Sequence, residues 1–406
     1  MNTRESSATP LHYAWIIAFT GVWVIFSCLG LGRFSLGMLL PSMGASLGLT
    51  YGQMGLIGTG NFCGYMLSIL FAAMLAKAMG PRRTVVLGLI LVGGSMILIS
   101  RARGFGDIMA LYLATGVGSG LANIPMMGLV SQWFLSTTRG RAAGIMLSGN
   151  GIAIVLTGLF VPWINTVLGS QGWRTGWLTL GAVSLGVAVV AGTLLRNHPK
   201  EKGLSPLGTL GAAPAKAKHK PAPARTMVHL GLVYALFGAT YAVYVTFIVT
   251  AMVNERGFGE STAGKFWAVV GALSVFSGPL FGWISDRLGR KAGMVIVYSL
   301  FTLAYGLAGA AHLPVSFLYA SIGLFGIAVW SIPTIMSAAA GDYAGPDRAV
   351  KALGFITLFF GAGQVIGPAV AGFLADALGS FSMGFWLCTG LTTLAVAGAA
   401  LLKPPG

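Results

Sequence analysis

Long apolar runs, broken by short polar stretches that carry glycine, proline and most of the charges, pattern the whole of this 406-residue chain. Runs long enough to cross roughly 30 Å of hydrocarbon fall at 13–40, 54–76, 84–100, 106–134, 139–163 and 173–195. Six more follow at 227–253, 261–284, 292–311, 314–340, 350–375 and 380–402. The pattern predicts an all-α membrane protein with twelve transmembrane helices. Between the sixth and seventh runs, 196–225 is polar, rich in proline and alanine, and carries Lys200, Lys202, Lys216, Lys218 and Lys220. That composition reads as a flexible linker. It divides the chain into an N-terminal six-helix bundle (1–195), a cytoplasmic linker (196–225) and a C-terminal six-helix bundle (226–406).

Charge fixes the expected orientation. Hydrophobic residues make up 55% of the chain and charged ones only 8%, far below the charged share of a soluble domain. Positive loops stay in the cytoplasm. With the N-terminus inside, nineteen lysines and arginines fall in cytoplasmic segments, and five, Arg101, Arg103, Arg174, Arg256 and Lys265, fall outside. Both termini are therefore expected in the cytoplasm and the protein in the inner cell membrane. The net charge of +16 then reflects topology and anionic lipid, with no nucleic-acid partner. The first apolar run is too long for a signal-peptide core. Cys28, Cys63 and Cys388 all lie within predicted spans, which argues against a disulfide framework, a metal or another cofactor.

Arg33 is the one basic residue left over, and it sits inside the first span. Arginine near the centre of a membrane helix costs roughly 2.5–3.5 kcal/mol and so faces a watery cavity or an anion. Its planar fork takes a carboxylate in bidentate fashion.

The loop after the eighth run reads Gly282-Trp283-Ile284-Ser285-Asp286-Arg287-Leu288-Gly289-Arg290-Lys291, and the loop from Ala73 to Arg83 repeats it with Gly80 matching Gly289. Here the chain resembles the major facilitator superfamily, whose signature loop takes this form in both halves. The resemblance implies two pseudo-symmetric six-helix bundles that rock around a central cavity. It also implies gating roles for Lys77, Arg82, Arg83, Asp286, Arg287 and Arg290. The first copy departs from the pattern, with Lys77 where the acid belongs. The many glycines, among them Gly116, Gly118, Gly120, Gly361, Gly363, Gly367 and Gly372, suit close helix packing.

A finer resemblance is to the monocarboxylate and oxalate/formate branch. It rests on Gly116-x-Gly118-x-Gly120 before Pro125, on Trp133-Phe134, on Arg139-Gly140-x-Ala142-x-Gly144-Ile145, on Gly172-Trp173-Arg174 and on Pro199 to Pro206. The first two helices are similar to a bacterial group of uncharacterised transporters with a Gly32-Arg33-Phe34 element, Leu40-Pro41 and Asn61-x-x-Gly64-Tyr65. Members of the carboxylate branch commonly carry a cation in the eighth or eleventh helix, and none lies between Phe266 and Trp283 or between Gly354 and Phe373. A single arginine suits a monoanion better than a doubly charged phosphate.

Polar and aromatic residues in the spans complete the candidate substrate site. Asn61, Asn123, Asn150 and Gln364 need partners that lipid does not supply, whether substrate or neighbouring helices. Tyr65 belongs to the Gly-Arg-Phe resemblance. Tyr241 and Tyr244, three apart, are expected on one helix face opposite Arg33. Trp330, Ser331, Phe359 and Phe360 are expected to wall a short carbon chain. All nine acids, Glu5, Asp107, Glu201, Glu255, Glu260, Asp286, Asp342, Asp347 and Asp376, fall in loops, termini or helix ends. A dedicated buried proton carrier is missing, which leaves anion exchange or symport of a proton with the substrate carboxylate. No catalytic constellation appears, so the chain is not read as an enzyme. The expected function is a monomeric secondary transporter of a small organic monoanion, and the rival is an efflux transporter for drugs or other amphipathic compounds.

Overall fold

The structure, a computed structural model, describes residues 12–209, 223–345 and 348–402. Arg4, Glu5, Lys216, Lys218, Lys220, Asp347 and Lys403 lie outside the described residues. The fold is all-helical. The first half comprises α1 (Tyr13–Leu47), α2 (Tyr51–Met79), α3 (Pro81–Ile99), α4 (Phe105–Trp133), α5 (Ser136–Leu168) and α6 (Gly172–Leu194). The second comprises α7 (Ala224–Asn254), α8 (Glu260–Leu288), α9 (Arg290–Gly309), α10 (Val315–Ala344), α11 (Ala349–Leu378) and α12 (Ser382–Ala400). Among the described residues, eleven runs are long and apolar enough to cross a membrane. One of these, Thr137–Leu194, is 58 residues long and contains α5 and α6, which a 3-10 turn at Gly169–Gln171 separates.

Local chemistry sets the helix ends. α1 closes at Gly48, whose φ of 65° is the left-handed conformation that glycine supplies at a helix C-terminus. α2 opens on a capping box, with the Thr50 hydroxyl accepting from Gln53 N–H and the Gln53 side chain accepting from Thr50 N–H. Gly80 and Gly289, the pair that the repeated loop aligns, have φ of 87° and 88°. The sequence repeat is therefore a repeat of backbone shape.

Each half packs mainly on itself: α2 against α4, α3 against α4 and α6, α7 against α11, and α9 against α12. Among the described residues the main pairings that join the halves are α2 with α11, α5 with α8 and α1 with α7. These run backbone to backbone through small residues. A Cβ on Gly151 would meet the Gly271 carbonyl, one on Gly158 the Gly264 carbonyl, one on Gly372 the Tyr51 carbonyl and one on Gly37 the Val245 carbonyl. Such contacts need glycine, because any side chain would hold the helices apart. They lie between mid-helix and the end remote from the linker, here called the far end.

The linker is not wholly free, as the sequence led one to expect. Leu207 N–H donates to the Trp133 carbonyl and Leu135 N–H to the Leu207 carbonyl, both at 2.9 Å. Pro199–Lys202 forms a 3-10 turn and Pro199 is buried. An apolar anchor therefore ties the start of this polar segment to the α4–α5 turn. Residues 210–222 lie outside the described residues.

Candidate functional site around Arg33

Arg33 lies in a π-helical stretch of α1, Phe26–Phe34. Such widened turns concentrate at functional sites. Side chains from α2 and α4 hold this one. Ser119 Oγ donates to the Cys28 carbonyl at 2.5 Å, Asn61 Nδ2 to the Gly32 carbonyl at 3.3 Å, and the Tyr112 hydroxyl to the Arg33 carbonyl at 3.0 Å. Small residues permit the approach: a Cβ on Gly32 would sit 3.2 Å from Ser119 Oγ. One on Gly116 of α4 would strike the Asn61 backbone.

The guanidinium is half-buried. Its Nε donates to Asn61 Oδ1 at 3.3 Å, and the rings of Phe62 and Tyr65 face it at 4.7 and 4.8 Å. Those ring faces stabilise a cation without neutralising it. Tyr241 of α7 approaches it from the other half. Arg33 enters no ion pair among the described residues, and its Nη2 is buried with no hydrogen-bond partner there. A void of about 10 Å³, lined by Arg33, Gly37, Asn61, Phe62, Tyr112 and Thr246, adjoins it. That is room for about one water centre.

The second half brings rings to the same place. Trp330, at the interruption in α10, packs edge-on to Phe34 of α1 at 5.7 Å and against Tyr241 at 5.8 Å. Phe360 stacks on Tyr234 at 4.5 Å and on Phe237 at 5.8 Å. Phe237 in turn stacks on Tyr241 at 5.5 Å. Tyr234, Phe237 and Tyr241 are spaced by three and four, so they share one face of α7.

The other expected residues are distributed unevenly. Asn61 touches Arg33, and its oxygen and amide group are bonded to protein (Arg33, Gly32 and Tyr112). Asn123 donates to the Tyr65 hydroxyl at 2.8 Å and keeps a buried Oδ1 without a partner among the described residues. Asn150 Oδ1 and Gln364 Nε2 are in the same condition. Tyr244 does not share the face of Tyr241. Its hydroxyl bonds Ser321 at 2.9 Å and its ring stacks on Phe325 at 4.0 Å, so packing against α10 decides where it points. Ser331 turns to Ser277 of α8 at 3.0 Å, and Phe359 packs over Gly231 of α7. Tyr112, Ser119 and Phe62 were missed. A signal existed for Tyr112 and Ser119, since a hydroxyl in a span must find a partner.

The loops expected to gate brace their own halves. Arg290 pairs with Asp286 and with Asp342, the latter at 2.6 Å, and Arg287 covers the Trp283 ring at 4.1 Å. Arg82 donates through its side chain to the Gly192 carbonyl and through its N–H to Asn197 Oδ1 at 2.9 Å. Lys77 and Arg83 are exposed. An open surface groove of about 630 Å³ lies between α9 and α12, lined by Thr302, Gly306, His312 and Trp386 among others, away from Arg33.

Comparison with known proteins agrees with this architecture. The chain is 27% identical to monocarboxylate transporter 11 of Mus musculus, over 96% of this chain and 87% of that protein. It is 23% identical to a probable sulfoacetate transporter, SauU, of Cupriavidus necator, covering 92% and 90%. It is also 23% identical to the hexuronate transporter of Bacillus subtilis, covering 90% and 89%. In fold it is similar to a bacterial homologue of the human lysosomal transporter Spinster, with a TM-score of 0.71 at 16% identity over 96% of this chain and 95% of that one. The nucleoside transporter NupG gives a TM-score of 0.73 at 13% identity over 97% and 99%. The profile of the family described as uncharacterised MFS-type transporter YbfB matches residues 25–402, so the chain belongs to that family of major facilitator transporters and is not an enzyme.

Proposed function

We propose that the protein carries a small organic monoanion, a monocarboxylate first of all, across the membrane by alternating access. The observation that carries this reading is Arg33: a half-buried cation with no ion pair and with one orphaned nitrogen among the described residues. A buried charge left unpaired is costly. A carboxylate that meets Arg33 and the Tyr241 hydroxyl satisfies it and bridges the two halves at once. The relatives named for monocarboxylate, sulfoacetate and hexuronate support an organic anion as cargo.

In this reading α5 and α6 are separate crossings, giving twelve, with both termini and the linker in the cytoplasm and the protein in the inner membrane. The chain works as a monomer. Residues 1–195 and 226–406 are the two rocking bodies, and the glycine contacts seal the far end while the linker end gives access. Coupling follows from electrostatics: an empty carrier recloses slowly because Arg33 is bare, which suits anion exchange or entry of a proton with the carboxylate.

Uptake of labelled lactate, pyruvate, formate, oxalate and aromatic acids into proteoliposomes tests the proposal. One of the monoanions is expected to move. Arg33→Ala is expected to lower its uptake by roughly 10-fold to 150-fold, the scale of losing a charged hydrogen-bonded contact, with the melting temperature kept. Unchanged uptake in Arg33→Ala contradicts the assignment.

A further inference from the structure

The far end of the seam holds bonds beyond its glycine packing. Asp376, in the last turn of α11, accepts from the N–H groups of Tyr51 at 2.7 Å and Gly52 at 2.8 Å, the first two residues of α2 in the opposite half. The first four N–H groups of a helix lack partners within it. In α2 the capping box takes those of Thr50 and Gln53, so Asp376 accepts from the two that remain. The carboxylate also faces the positive end of the α2 dipole. The fit requires glycine at 52, where a Cβ would stand 2.7 Å from Asp376 Oδ2 and 2.9 Å from the Phe373 ring.

A second acid acts in parallel. Glu260, at the start of α8, accepts from Asn165 Nδ2 of α5 at 2.6 Å, and that amide also reaches Ser42 of α1 at 3.1 Å. Glu255 works inside its own half: it accepts from Phe381 N–H at 2.6 Å and from Ser380 at 3.0 Å. It thereby fixes the α11–α12 turn that follows Asp376.

We infer that Asp376 and Glu260 form a two-point carboxylate latch between the halves, which holds the far end shut and must release before that end opens. The latch rests on the alternating-access reading above. It is separate from the anion site, because neither acid is among the groups that touch Arg33.

Spin labels at Val167 and Val315, both exposed at the far end (60% and 46%), on a Cys63→Ser background in nanodiscs, report its opening as an interlabel distance. Two changes attack the latch differently. Asp376→Asn keeps the shape and removes the charge, and Gly52→Ala keeps the charge and blocks its approach. Each is expected to raise the long-distance population several-fold. Asp107→Asn is the control, since among the described residues Asp107 accepts only from Arg103 N–H in its own half, at 2.9 Å, and it is expected to leave the distribution as in the wild type. Gly158→Leu, a wedge against the Gly264 carbonyl and Ala268, opens the end without touching the acids. If the wedge gives the long distance and both latch variants match the wild type, the latch is refuted and rocking stands. If the wedge too gives only the short distance, the rocking reading fails and the latch falls with it.

Discussion

In the first half, the turn between α2 and α3 passes through Gly80 at φ 87°, and Arg82 beyond it binds the carbonyl of Gly192 and the amide of Asn197. In the second half, the turn between α8 and α9 passes through Gly289 at φ 88°, and Arg290 beyond it binds Asp286 and Asp342. The same backbone shape is held once by neutral acceptors and once by two carboxylates. Inside the spans the contrast continues. The first half carries Arg33 on a pinned π-helical stretch, while the second half brings Tyr241, Trp330 and stacked rings. The halves are alike in shape and unlike in charge, so in the proposed function orientation of an anion falls to the first and enclosure of its apolar part to the second.

That division can be broken from the first half most severely. Asn61→Ala leaves Arg33 Nε and the carbonyls of Gly32 and Tyr112 without their partner. The expected cost of about 1–3 kcal/mol corresponds to a rise of roughly 5-fold to 150-fold in half-saturation of uptake in proteoliposomes. In the second half, Tyr241→Phe removes the hydroxyl proposed to meet the substrate anion beside Arg33, and half-saturation is expected to rise about fivefold, on the scale of one hydrogen bond. Tyr244→Phe, which loses only the bond to Ser321, is expected to leave half-saturation unchanged and lower the melting temperature by a few degrees. An equal effect of both tyrosines on uptake would break the assignment of faces. The smallest effect separates the two turns. Arg290→Ala is expected to cost about 1 kcal/mol of stability, as for partly exposed ion pairs. Salt near 1 M is expected to shrink that loss by screening and to leave the loss in Arg82→Ala unchanged. Equal salt dependence of the two melting temperatures would remove the distinction.

The membrane helices were legible because period and length suffice: an apolar run has few ways to satisfy its backbone in lipid. Arg33 was legible because an isolated charge in such a run is conspicuous. Its supports were not. Asn61, Tyr112 and Ser119 meet α1 from helices distant in sequence, and their roles depend on rotation about each helix axis, which a sequence of nearly uniform apolarity does not encode. For the same reason the contacts of Tyr244 with Ser321 and of Ser331 with Ser277 were not legible, since packing decides where each side chain turns. The π-helical widening of α1 leaves no pattern either, because it arises from side-chain donors supplied by α2 and α4. The docking of Leu207 on the α4–α5 turn was hidden by the polar composition around it.

Calorimetric titration of purified protein with a transported monocarboxylate, its neutral amide and a dicarboxylate, on wild type and Arg33→Gln, tests the central claim most directly. One cation meeting one negative charge predicts that wild type binds the monoanion best, that the amide binds at least about tenfold more weakly, consistent with loss of a charge-assisted hydrogen bond, and that Arg33→Gln no longer tells acid from amide. If Arg33→Gln keeps the preference for the monoanion over its amide, Arg33 is not the group that holds the substrate charge.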